Sequence, residues 1–366
     1  MSLALSSVSK IYRGFRKTVV TAVRALDLEV RDGETVALLG SSGCGKTSTL
    51  RMVAGFEAVS TGTITLRGKR IDTLPPARRG VAMAFEGYAL YPPLTIAENI
   101  GFALHADRSA RQTVARRVRE VAELLEITSI LDRRPAGLSG GQQQRVSLAR
   151  ALVRDAALHL LDEPMSQLEP QLRSVLRGRV KALLKARGLT SVFVTHDQTE
   201  ANALADRIAV MEAGVLQQYG SRAELQGRPA NLFVATFLGE PPMNALPALA
   251  ATDGVRIKQA EASEFHMELP RATLSNVGGD LVLGVRPHHV RLGSGRCRGI
   301  VASNQWLGDQ AHVALDFAGC LVVGVSDARV PARVGEALAF DFDAAHAHLF
   351  DAQTGAALWH GGASHG

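Results

Sequence analysis

Three short stretches of the chain carry residue types at spacings suited to work on a nucleoside triphosphate. Gly40-Ser41-Ser42-Gly43-Cys44-Gly45-Lys46-Thr47 follows an apolar run and leads through Ser48 into helix-forming sequence, the setting in which G-x-x-x-x-G-K-[ST] wraps phosphates. Backbone N–H groups and a helix N-terminus surround the anion there, Lys46 reaches the terminal phosphates, and the Thr47 hydroxyl oxygen is a ligand for Mg²⁺. Asp162 and Glu163 close the apolar run Leu158-His159-Leu160-Leu161. At the carboxyl edge of a sheet, where ligands of α/β proteins collect, Asp162 is placed to hold Mg²⁺ and Glu163 to polarise an attacking water as general base. The third stretch is Leu138-Ser139-Gly140-Gly141-Gln142-Gln143-Gln144-Arg145, which opens another helix-forming run. It offers an anion a second set of N–H groups and a second positive helix end, which a single phosphate loop does not need.

These residues need a frame, and the hydrophobic pattern supplies one. Residues 25–40 alternate through Leu26, Leu28 and Val30, turn at Asp32-Gly33 and run apolar from Val36 to Leu39, a hairpin-like approach into a buried strand. A short helix ending at Gly55 follows the loop, and residues 60–72 read as a strand pair with glycine turns. Val114, Val118, Val121 and Leu125 recur at three- and four-residue steps, which predicts an amphipathic helix over Arg111–Ile127. After Leu158–Leu161 come a helix over Gln171–Ala186, a strand over Ser191–Thr195 and a helix over Gln198–Ala205. Such alternation builds a parallel sheet with helices on its faces.

Three prolines and a glycine in Gly239–Pro247 end the pattern and put a domain boundary between residues 1–240 and 241–366. Beyond it lie short strand-like pieces, Leu281–Arg286, Gly299–Ala302, Ala311–Phe317, Leu321–Val325 and Ala337–Phe342, as in a small β-barrel or sandwich.

Composition removes several classes of function. With 46% hydrophobic and 21% charged residues in 366, the chain is neither disordered nor fibrous. Lys plus Arg outnumber Asp plus Glu by 32 to 23 up to residue 240, then trail by 9 to 12. Binding of single-stranded nucleic acid by the tail needs a basic groove with stacking aromatics, whereas the tail is net negative and its tryptophans are Trp306 and Trp359. Cys44, Cys297 and Cys320 are too few and too scattered for a disulfide framework or zinc site. The sequence has no apolar run of the ~18 residues a membrane span needs and no signal-peptide pattern at its start, so it reads as cytoplasmic. Eight of the eleven histidines follow residue 241, among them His288-His289 and His346-Ala-His348, and read as exposed turn residues.

With Leu138–Arg145 falling between the phosphate loop and Asp162-Glu163 along the chain, the three motifs resemble those of the ATP-binding subunits of ABC transporters, and the resemblance runs the whole length of the chain. It implies an α/β fold, a P-loop ABC ATPase domain with a mixed, mainly parallel sheet and a helical subdomain at about 87–155, followed by a small all-β OB-like domain. It implies a dimer, of two identical or two different ATPase subunits, in which Ser139, Gly140, Gly141 and Gln142 of one close over the ATP held by the phosphate loop of the other. By the same resemblance Tyr12 stacks on adenine, and His196 in Val-Thr-His-Asp contacts the terminal phosphate and helps orient the water. Tyr88-Ala-Leu-Tyr-Pro-Pro-Leu-Thr-Ile-Ala-Glu-Asn99 is similar to the segment that meets the permease.

Asn231–Asn244, Gly284–His289, Trp306–Asp309 and Phe350–Gly355 are similar to the landmarks of a regulatory tail. Together these phrases resemble the ATPases of maltose-type and glycerol-3-phosphate-type importers. The expected setting is then the cytoplasmic face of the membrane, beside permease subunits, with a solute-binding protein acting indirectly and a cytoplasmic regulator at the tail. Two positions depart from the family: Glu86 replaces a glutamine that bridges Mg²⁺, water and the permease-facing loop, and Glu169 replaces an aspartate in the loop between paired subunits. Both changes bear on the rate of hydrolysis and on coupling between paired subunits, which makes one alternative a mainly regulatory, low-activity subunit of a heterodimer; the other is a soluble ABC ATPase outside transport. The latter commonly carries a second cassette or a long coiled-coil insertion, and this chain has neither. The sequence does not name the solute.

Overall fold

The computed structural model describes residues 2–14, 18–106, 110–258, 266–268 and 279–362. Its contacts divide the chain into two compact units, residues 1–222 and 223–366. The division falls ahead of the proline-rich break, so residues 223–240 group with the second unit.

The first unit contains β1 (Leu3–Arg13), β2 (Val19–Val30), β3 (Thr35–Gly40), α1 (Lys46–Ala54), β4 (Thr61–Leu66), β5 (Lys69–Arg70), β6 (Val81–Ala84), α2 (Ile96–Ala106), α3 (Arg111–Leu124), α4 (Gly140–Leu152), β7 (Leu158–Asp162), α5 (Pro170–Ala186), β8 (Ser191–Thr195), α6 (Gln198–Leu204), β9 (Arg207–Glu212) and β10 (Val215–Gly220). A six-stranded sheet has the order β10-β9-β3-β8-β7-β6. All its neighbours are parallel except β10 and β9. Every residue of β3, β7 and β8 is buried, as strands covered on both faces must be. The carboxyl ends of β3, β8, β7 and β6 therefore lie side by side, and the phosphate loop, His196, Asp162-Glu163 and Glu86 follow them in that order.

Leu26, Leu28 and Val30 are buried as their alternation predicts, yet β2 does not form a hairpin with β3. It pairs antiparallel with β1 in a separate four-stranded sheet of order β2-β1-β4-β5. Asp32-Gly33 thus links two sheets, because an alternating pattern fixes which face is buried and leaves the partner strand open. One apolar cluster, including Leu5, Leu28, Val36, Leu50 and Val192, joins the two sheets through α1. α2, α3 and α4 pack on one another, and α3 buries Val114, Val118 and Val121.

The second unit takes in α7 (Arg222–Gly227), α8 (Leu232–Phe237), β11 (Asn244–Ala251), β12 (Gly254–Ile257), β13 (His266–Glu268), β14 (Asp280–Val285), β15 (Arg291–Trp306), β16 (Ala311–Phe317), β17 (Cys320–Ser326), β18 (Ala337–Asp341), β19 (Ala347–Asp351) and β20 (Ala357–His360). Two antiparallel sheets, β13-β12-β11-β14-β19-β20 and β17-β16-β15-β18, enclose a core with Leu246, Leu283, Val313, Phe340 and Leu349. The described residues of this unit contain ten strands where the sequence pattern marks five pieces. β15 is the clearest enlargement of the reading Gly299–Ala302. Gly293 and Gly295 interrupt its alternation but sit at φ 87° and 136°, within the register shift between Leu292 and Cys297, and glycines in such a shift bend a strand without ending it.

Of the histidines read as exposed turn residues, His288 and His346 are exposed and lie in single 3₁₀ turns, whereas His289 is half-buried and His348 departs from the reading. His348 lies in β19, 6% exposed, with Nδ1 2.8 Å from His360 Nδ1, and the His289 and His346 rings stack at 4.0 Å between centroids. Burial, then the neighbouring His360 and Arg286, then His289 and His346, push the His348 pKa down to about 3. His360 is lowered by burial and by Arg228. An unfolded chain takes up protons near pH ~6.5 that the folded imidazole refuses, so this contribution to stability is complete above that pH and fades as pH falls toward 3. We expect the unfolding temperature of the second unit to drop between pH 7.5 and pH 5, and His348→Phe to flatten that slope. Calorimetry of the full chain checks this; equal slopes in parent and variant contradict it.

Candidate active site

The phosphate loop is shaped by close backbone approach. Gly45 precedes α1 at φ 102°, and a Cβ there would meet Ala22 O at 2.2 Å, so only glycine fits. Lys46 is buried, and its Nζ donates to Gly40 O and Ser41 O, both at 2.9 Å. Ser41 Oγ donates to Glu212 Oε2 at 2.6 Å, an anchor from β9 that the motif does not reveal. Ser42 and Gly43 are exposed, while Cys44 is buried and burial pushes its thiol pKa up, which keeps it an unreactive filler. Tyr12 Oη lies 3.2 Å from Ser48 Oγ, and Lys10 Nζ sits 4.7 Å from the Tyr12 ring centroid. The ring from β1 and the start of α1 are thus one assembly.

Next to the loop, Thr47 Oγ1 donates to Asp162 Oδ1 at 3.3 Å. Burial, then the adjacent Glu86 carboxylate, raise the Asp162 pKa to about 6. Glu86 and Asp162 line one open cleft of about 540 Å³ with Arg51, Tyr88 and Gln167. Two carboxylates and a hydroxyl are hard oxygen donors of the kind Mg²⁺ selects, and a divalent cation among them would relieve the repulsion that raises Asp162. The donor set fits the ion.

Glu163 leaves the end of β7 with φ 49°, in the left-handed region where a non-glycine residue is rare. Its N–H donates to Val194 O at 3.1 Å, and its carboxylate Oε1 lies 3.0 Å from His196 Nδ1. Asp197 caps α6 by accepting from Glu200 N at 3.0 Å, which fixes the turn that presents His196. Arg173 on α5 donates to Asp197 Oδ2 at 3.2 Å, Ser166 O at 3.3 Å and Leu168 O at 2.9 Å. The 166–169 loop is therefore held by Arg173, while Glu169 caps α5 with no side-chain hydrogen bond.

The signature stretch lies at the start of α4. Ser139 and Gln142 form a reciprocal capping box, with Gln142 N donating to Ser139 Oγ at 3.3 Å and Ser139 N to Gln142 Oε1 at 3.0 Å. Ser139 and Gly140 are exposed, so this positive helix end opens outward. A Cβ on Gly141 would approach Gln167 O at 3.0 Å. Arg145 ties α4 to the end of α3 through Leu125 O at 3.1 Å and Glu126 O at 2.8 Å.

Residues that sequence reasoning passed over are mostly clamps: Glu212, Arg173, Gln144 and Asn99. Asn99 is buried, accepting from Tyr91 N at 2.8 Å and donating to Tyr91 O, Leu94 O and Thr95 O. For Gln144 a signal was present: it falls on the α4 face that buries Leu148 and Ala151, at helical spacing, where a polar residue needs partners.

The family model described as "ABC transporter" matches residues 23–166, and that of the TOBE domain matches residues 283–350. Fold and site together define an ATP-binding cassette ATPase with an appended all-β unit. Solved structures agree: the dimeric post-hydrolysis state of the ATP-binding cassette MJ0796 bound to ADP and Pi has a TM-score of 0.56 and 27% identity, over 60% of this chain and 98% of that one. The trehalose/maltose import ATP-binding protein MalK of Thermococcus litoralis is 44% identical over 93% of this chain and 96% of its own length. The sn-glycerol-3-phosphate import ATP-binding protein UgpC of Cereibacter sphaeroides is 41% identical, over 97% and 99%. The chain belongs to the family of ATP-binding subunits of ABC importers.

Proposed function

We propose that this chain hydrolyses ATP to drive a binding-protein-dependent importer of a carbohydrate, polyol or related small solute, and that it works as a dimer with two shared sites. The observation that carries this reading is the Glu163–His196 pair, 3.0 Å apart, on neighbouring strand ends beside Asp162 and the Thr47 hydroxyl at the start of α1, while Ser139 and Gly140 face solvent. An exposed helix N-terminus of this kind suits the terminal phosphate of a nucleotide held by a second subunit.

In this reading Lys46 leaves its two loop carbonyls for the phosphates, and Tyr12 supports the adenine. Thr47, Asp162 and Glu86 would hold Mg²⁺, which neutralises charge on the phosphate oxygens when bound. Glu163 takes a proton from water as the water oxygen bonds to the terminal phosphorus and the bond to the bridging oxygen breaks, leaving ADP and phosphate. His196 fixes the aim of that carboxylate. The rival of a slow, mainly regulatory subunit draws support from Glu86, since the carboxylate beside Asp162 adds repulsion toward the phosphates.

A cleft of about 400 Å³ lined by Phe56, Tyr88, Tyr91, Phe102 and Arg150 suits the permease. Phe56, Phe102 and Tyr91 are 54%, 48% and 37% exposed, and apolar side chains gathered in this way favour a protein contact. No helix among the described residues is long and apolar enough to cross a membrane, so attachment at the cytoplasmic face would come through that cleft. The all-β unit is the place for a cytoplasmic regulator. Purification of the full chain with its membrane partners, followed by ATPase assays with the cognate binding protein and a panel of sugars, polyols and their phosphates, tests the reading. Stimulation by one of these solutes supports it, and failure to recover any permease overturns it.

A further inference from the structure

Gln144 lies on α4, two residues beyond the capping box, and is 4% exposed. Its amide spends every contact on the loop that follows β7. Nε2 donates to Glu163 O at 2.7 Å and to Ser166 Oγ at 3.1 Å, and Oε1 accepts from Gln167 N at 2.9 Å. Ser166 Oγ in turn donates to Glu163 O at 3.2 Å. The Glu163 carbonyl is thus gripped from two sides in a residue whose φ of 49° is costly without such support. A flip of Glu163 to an ordinary φ would swing both its carbonyl and its carboxylate, and with them the 3.0 Å contact to His196.

We infer that Gln144 is a positioning residue, holding Glu163 in its left-handed backbone so that the carboxylate stays aimed at the attacking water. The inference rests on the reading of Glu163 as the base. The Gln144 amide binds the 163–167 loop, so it acts through Glu163. The helix whose exposed N-terminus is offered to the neighbouring subunit thereby also fixes the aim of the base in its own chain.

The test compares full-length Gln144→Met, close in size but without donor or acceptor, and Gln144→Glu, which keeps an acceptor for Gln167 N and removes the donor to Glu163 O. Steady-state ATPase, binding of a fluorescent ATP analogue and melting temperature are measured for both, beside Glu163→Gln. The expected result is kcat at least ~10-fold lower in both variants, a partial loss of a general-base contribution of ~10²–10⁴, with KM for ATP and analogue affinity within twofold of the parent. Unchanged kcat, or loss of analogue binding together with kcat, overturns the inference, because a positioning residue spares binding. Glu163→Gln separates the two failures. If it is active, the base assignment itself falls; if it is inactive while both Gln144 variants match the parent, only the role of Gln144 falls.

Discussion

Glu163→Gln is expected to bind ATP as the parent does and to hydrolyse it at least ~100-fold more slowly, since general-base catalysis contributes a factor of that order. The substitution keeps the shape of the side chain and leaves an amide oxygen for His196, so the 3.0 Å contact survives while the proton acceptor is lost. ATP that cannot be cleaved should then hold two subunits together in a complex that survives gel filtration and that ADP does not support. Turnover equal to the parent's would remove Glu163 from the role of base and direct attention to other groups near the terminal phosphate.

Lys46→Ala has the second large effect. In the loop from Gly40 to Thr47, Lys46 is the only side-chain cation, and its Nζ is already held by the Gly40 and Ser41 carbonyls. It exchanges these two carbonyls for phosphate oxygens without leaving the loop. Loss of such a preorganised donor costs about 10²–10³ in kcat, and here it weakens triphosphate binding as well, since the charge contacts the ground state too. Fluorescent-nucleotide titration and steady-state rates measure both. Near-normal turnover would sink the phosphate-loop assignment.

The parts of this site carried by local motifs were legible in the residues alone. A strand, a glycine-rich loop and a helix are continuous in sequence, so Lys46 and Thr47 could be read in place. The strand alternation also implied that Asp162 and His196 sit at the carboxyl edge of a sheet. The meeting of Glu86 with Asp162 was not readable from spacing: β6 and β7 are neighbours only because the chain crosses over between them. For Gln144 the need for buried partners was legible but their identity was not, its three partners being set by how α4 packs on the loop after β7.

In the second unit, Pro247 led the other way. It was read as part of a break, yet it sits inside β11 opposite Val282, where its carbonyl accepts from Lys258 N at 2.9 Å. Proline lacks an N–H but keeps its acceptor, so a strand tolerates it where no donor is required. His348 was read as a turn residue because an i, i+2 histidine pair carries no burial signal of its own; its cover comes from β14 and β20 on either side.

In the proposed mechanism each ATP is shared, with Lys46 and Glu163 from one subunit and Ser139 from the other. Heterodimers purified through two tags test this directly. Lys46→Ala in one chain and Ser139→Arg in its partner place both lesions in one shared site and spare the second, whereas both substitutions in one chain beside an unaltered partner damage both sites. The prediction is measurable ATPase in the first arrangement and background in the second. The reverse order, or full activity of a Ser139→Arg homodimer, would show that Ser139 serves its own chain's nucleotide or none, and would contradict the shared site.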